Sequence, residues 1–235
     1  MSSPAAEVSA PEVRARSLAR TDWRRELATL RIVQRALGQC WGARACLWLS
    51  RLVGVSFVLA ALYVSGLAPA ASDAILRLAL LALSACAELA AFSAAGPAPD
   101  RFLEAGRGLL ETRAVPLEQL QRARPLAVAL WIVRHVGFSA LIVAIACLGL
   151  ASEPRHAAHA FALAAGAAGY VLLLAGGLAL LAQLCHVLGR TRGQALFIGL
   201  VLLPPLLSPA WPELPTLEGG YQRLLDRCLD VQVKS

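Results

Sequence analysis

His156 and His159 stand three residues apart, a spacing that can place two imidazoles on one helix face, and Glu153 precedes them closely. On paper that is a histidine and carboxylate metal site. The trio falls in a short polar loop, where exposed polarity is the simpler account. Cys185 and His186 are adjacent, so their side chains point in different directions and do not ligate jointly. The six cysteines (Cys40, Cys46, Cys86, Cys147, Cys185, Cys228) are scattered without a CxxC pair. That distribution fits small apolar residues in helix contacts better than disulfides or zinc ligands. No GxxxxGK[ST] occurs, and Lys234 is the only lysine, so a phosphate-binding loop is excluded from the body of the chain. GxSxG and HExxH are also missing. The sequence therefore predicts no catalytic residue, metal or bound cofactor in this chain.

Two ionisable residues lie deep in apolar runs, Glu88 and Arg134. Each stands nine residues from a proline, Pro97 and Pro125, that marks the end of its run. At about 1.5 Å per residue both lie roughly 13 Å beneath the same membrane edge. An isolated charge there costs a few kcal/mol or more, and matched depth on sequential antiparallel helices predicts an intramembrane ion pair. The competing expectation is that Arg134 snorkels to the headgroups while Glu88 stays protonated or faces a wet cavity.

The elements that hold these residues belong to a membrane protein. Of 235 residues 58% are hydrophobic and 16% charged, and the mean hydropathy is +0.63, too apolar for a soluble domain of this length. The formal net charge is +7 and is carried by arginine. Arginine beside apolar spans sets orientation and meets anionic headgroups, and no recognition module for nucleic acid accompanies it. The expected fold is an all-α polytopic membrane protein. Residues 1–21 read as a disordered tail and 22–44 as an amphipathic interface helix, with Trp23 and Trp41 at its ends and Arg24, Arg25 and Arg31 on its polar sides. A membrane domain follows over 45–211, with spans near 46–68, 74–96, 126–150, 157–188 and 194–211. The last of these is broken by Pro204 and Pro205, so it either crosses or re-enters. Residues 212–235 form an amphipathic tail helix. In the fourth run, Ala162, Gly166, Gly169, Gly176 and Gly177 are expected to let another helix approach closely.

Arginines crowd the segment before the first run, the second loop (Arg101, Arg107, Arg113, Arg122, Arg124) and the fourth (Arg190, Arg192). The first loop has none, and the third has Arg155 offset by Glu153. The excess belongs on the cytoplasmic side, which predicts a cytoplasmic N-terminus.

The second loop, 97–125, is far longer than a turn requires. Asp100 is a good N-cap for a helix reaching about Thr112. The chain then breaks at Val115 before Pro116, and 117–124 can form a second short helix ending before Pro125. In this loop Gly108, Leu109, Glu111 and Pro116, followed by a short helix ending in basic residues, resemble a region of type-two ABC transporter permeases, the membrane subunits of exporters. The resemblance covers roughly residues 22–200 and includes the basic helix before the first span. It implies that the loop is the coupling helix that docks on an ATP-binding subunit, through Arg107, Gly108, Glu111, Arg113 and Pro116. It also implies a bacterial inner-membrane location, a second permease copy as partner, and ATP and Mg held by the ATP-binding cassette subunit. The alternative reading is a non-transporting scaffold or accessory subunit of a membrane complex.

Overall fold

The structure, a computed structural model, describes residues 26–64, 69–96, 101, 117–149, 154–207 and 216–230. Among these the chain is all-α. Helix α1 covers 26–39, and a bend at Cys40 leads into α2 (Trp41–Val64). Then follow α3 (Pro69–Ala95), α4 (Leu117–Ile132), a π-helical turn (Val133–Gly137), α5 (Phe138–Gly149), α6 (Pro154–Val187), α7 (Arg190–Leu207) and α8 (Leu217–Asp230).

Four segments are long and apolar enough to cross a membrane: Trp41–Tyr63, Ala74–Ala95, Gln119–Cys147 and Phe161–Val187. In α7 the described apolar stretch, Arg192–Val201, is shorter than that, and the remainder of the expected fifth span, 194–211, lies largely outside the described side chains. Pro204 and Pro205 do not break α7, whose backbone stays helical to Leu207.

Helix α3 is the centre of the bundle. Half of its apolar window is buried, against 22% for α2, and Leu76, Leu80, Leu83, Ala87, Ala90 and Ala94 form one continuous buried stripe. The stripe follows the spacing of three and four that keeps residues on one helix face. Its alanines let neighbours come close. Gly42 of α2 lies directly on the Leu89 carbonyl and the Ser93 hydroxyl, where a methyl group would not fit.

Two boundaries differ from expectation. Trp41 opens α2 and does not close the N-terminal helix, because the chain bends at Cys40. In α1 Val33 and Leu37 join the core, and Arg31 and Arg35 are exposed. Pro125 does not end a short helix but sits inside α4. An interior proline costs about 3 kcal/mol through the lost N–H and the ring clash. Burial of Leu120, Ala127 and Val128 on both sides, with the hydrogen bonds of Arg124, offsets it. Of the α6 glycines, Gly166 meets the Cys228 carbonyl and Leu229 of α8, whereas Gly169, Gly176 and Gly177 face open space.

Helix α8 folds back onto α3 and α6. Thr216 caps it, accepting a hydrogen bond at Oγ1 from the Gly219 N–H at 3.0 Å. Leu225 and Leu229 are buried, and Gln222, Arg223 and Arg227 are exposed. Asp226 accepts from Arg77 of α3 at 2.5 Å, a partly exposed pair worth well under about 1 kcal/mol.

Candidate functional site

At the end of the bundle from which the 97–116 segment leaves and returns, four helices meet. Arg124 is at the centre, on the α4 face that also buries Leu120 and Val128. Only 4% of it is exposed. Its guanidinium donates to the carbonyl of Ala94, to the carbonyl of Gly96 at 3.0 Å and to Nε2 of His186 at 2.8 Å. The last carbonyls of a helix have no partner within it, and a cation there also complements the helix dipole. Arg124 therefore finishes α3 as a cap supplied by another helix. A guanidinium only donates, so Nε2 of His186 is the acceptor and the imidazole is neutral in this arrangement.

The first turn of α7 closes the joint. Gly189 has a φ of +139°, in the region that side chains avoid, and turns the chain from α6 into α7. Gly193 then lies against the carbonyls of Cys185 and Ala95; a Cβ on it would stand 2.9 Å from the Ala95 oxygen. One turn on, Phe197 is buried against Phe92, ring centroids 6.2 Å apart. The ends of α3, α4, α6 and α7 are thus fastened through backbone oxygens rather than through apolar contact alone. Arg107, Gly108, Glu111, Arg113 and Pro116, which the sequence marks for docking, lie outside the described residues, as do Trp23, Arg24 and Arg25.

The expected pair of Glu88 and Arg134 is not formed, which corrects the sequence expectation. Arg134 is exposed on the outside of the bundle, whereas Glu88 is half-buried towards α8. Equal depth does not fix the direction of a side chain around its helix, and the π-helical turn further shifts the register at Arg134. Glu88 instead shares a polar cluster with Ser84, Tyr170 and Tyr221. Tyr170 is fully buried, and the phenol oxygens of Tyr170 and Tyr221 find no partner of hydrogen-bond geometry. Burial, and next the Glu88 carboxylate, push the Tyr221 phenol well above its ordinary range, so it stays protonated. Since Glu88 and Arg134 share no partner, Glu88→Gln and Arg134→Gln are expected to add in a double-mutant cycle on thermal stability, within about 0.5 kcal/mol. The charge swap is expected to rescue nothing. A swapped protein more stable than the sum of its single variants would restore the pair.

The π-helical turn has no signature in the sequence. Ser139 Oγ donates to the His135 carbonyl at 3.2 Å, taking up an oxygen near the widened turn. Trp131 packs edge-on against the His135 ring, with centroids 4.5 Å apart. Arg51 of α2 acts electrostatically on His135 and lies over Trp48, 5.8 Å from the ring centroid. Arg51 is readable as an arginine inside an apolar run; Arg124 reads in the sequence only as loop charge.

Five of the cysteines are buried and Cys228 is half-buried, all as free thiols. Cys185 faces the interior while His186 reaches Arg124, as adjacency predicts. Glu153 and the side chains of His156 and His159 lie outside the described residues, among which no group of three or more His, Cys, Asp or Glu could hold a metal ion. No protein-family model matches the chain, and no curated protein or solved structure matches it either.

Proposed function

We propose that this chain is the permease subunit of an ABC exporter, moved by ATP hydrolysis on a separate ATP-binding subunit and working with a second permease copy. The observation that carries the reading is the Arg124 joint. A loop that receives force must rest on something that does not give way, and Arg124 binds α3 and α6 to α4 where the 97–116 segment is rooted. A push on that segment is then shared by several membrane helices. The arginine distribution supports a cytoplasmic position for the joint and the N-terminus. Helix α1, with Arg31 and Arg35 exposed, is read as the element at the headgroups, in a bacterial inner membrane. The chain carries no nucleotide motif of its own, so ATP and Mg belong to the partner.

Exchanging the loop charges, Glu111→Lys with Arg113→Glu, tests the coupling role. The variant is expected to reach the membrane in normal amount and to lose most of its partner-dependent ATP hydrolysis. Full hydrolysis and full partner recovery would mean that the loop lies on the membrane surface and does not dock.

A further inference from the structure

A groove of about 380 Å³ runs along the outside of the bundle where the π-helical turn and α5 meet α6. Small buried residues, Ala140, Ala144 and Ala167, form its floor, and the exposed Phe138, Leu141 and Leu172 rise as walls. Gly137 lies close to the facing helix, where a Cβ would be in van der Waals contact with Val171 Cγ1 at 3.4 Å. The volume is at the low end of the range for ligand sites and suits one hydrocarbon chain.

One end of the groove has different chemistry. Arg134 lines it, is exposed, and makes no ion pair or hydrogen bond among the described residues. The other charge that acts on the adjoining His135 is also basic, Arg51 of α2. The Glu88 carboxylate lies towards Tyr221. A cation in an apolar run persists when its side chain reaches up towards the headgroups and an anion meets it there. The anion has to come from outside the chain, and the groove says what is attached to it. From Arg134 the lining runs away from Pro125, along α5 to Ala144 and along α6 from Leu172 to Ala164. With the Pro125 end cytoplasmic, that is the direction of an acyl chain whose head is on the cytoplasmic side. An arginine reaching towards that side from between helices is also how basic pockets hold lipid heads.

We propose that this groove binds an anionic phospholipid of the cytoplasmic leaflet, one acyl chain on the alanine floor and the phosphate held by Arg134. The assignment holds whether or not the chain exports anything. The test uses the full chain in mixed micelles containing equal phosphatidylglycerol and phosphatidylcholine of matched chains, with retained lipid counted by native mass spectrometry. The unmodified protein is expected to retain phosphatidylglycerol about tenfold over phosphatidylcholine, about 1.4 kcal/mol, because both phosphates can reach Arg134 but choline sets a cation of its own beside it. Arg134→Gln brings the two lipids to parity. Ala168→Phe, at an exposed position on the rim, fills the groove and releases the lipid with the charge intact. Arg51→Gln keeps the preference. Equal retention by the unmodified protein, or a preference that survives Arg134→Gln or Ala168→Phe, overturns the proposal. So does a preference abolished by Arg51→Gln, or by millimolar inorganic phosphate, which would make the ligand a soluble anion.

Discussion

Arg124→Leu is expected to destabilise the folded chain by about 3 kcal/mol or more, read as an earlier melting transition of the detergent-solubilised protein. The leucine is apolar and of tolerable size, so the loss does not come from volume. It comes from the groups left behind. The carbonyls of Ala94 and Gly96 and Nε2 of His186 all take a hydrogen from this one guanidinium. Each buried acceptor abandoned costs about 1–3 kcal/mol, and bonds to a charged donor lie at the strong end of the range. The end of α3 also loses the cation that complements its dipole. Arg124→Lys keeps the charge but presents a single nitrogen where a fork spans two helices, so it recovers only part of the loss. Arg122→Leu, two residues away and exposed, is the control and stays within about 0.5 kcal/mol. Equal melting of the Arg122 and Arg124 variants would remove Arg124 from its place in the joint.

The same joint makes Gly193 the position least able to accept a side chain. Gly193→Leu is expected to cost about 2–3 kcal/mol or more, because its Cβ meets backbone oxygens of both α3 and α6, neither of which can rotate away as a side chain would. The whole first turn of α7 has to move, and the tilted contact of Phe197 with Phe92 goes with it. Gly199, six residues on in the same helix, faces open space, with nothing within 4 Å of where a Cβ would stand. Gly199→Leu is therefore expected to be neutral or slightly stabilising through helix propensity. Limited proteolysis between α6 and α7 would separate the two variants as clearly as melting does. A Gly193 variant as resistant as the Gly199 variant would contradict the close approach.

The contrast between these residues shows what is legible in the sequence. Four spans can be read because water-soluble folds rarely contain apolar runs of about twenty residues with so few charges, and the ends of α3 and α6 fall close to where the runs stop. The fifth run, 194–211, lies partly outside the described residues, and only its stretch to Val201 can be compared with the other four. Depth is legible and direction is not. Glu88 and Arg134 can be placed by counting residues, yet whether they meet depends on rotation about two helix axes and on a π-helical turn that no spacing announces. Arg124 is hidden for a related reason. Among the loop arginines it has the same type and setting as the exposed Arg122, and only the folded ends of α3 and α6 distinguish them.

On the proposed function, a separate ATP-hydrolysing subunit moves this chain. The most direct test is to purify it from its native membranes in a mild detergent and assay the eluate for ATP hydrolysis, with the co-purifying polypeptides identified by mass. An ATP-binding subunit is expected in fixed ratio to this chain, with hydrolysis that elutes alongside it through size exclusion. A chain that elutes folded and membrane-derived, accompanied by no nucleotide-binding polypeptide and no hydrolysis, would contradict the claim.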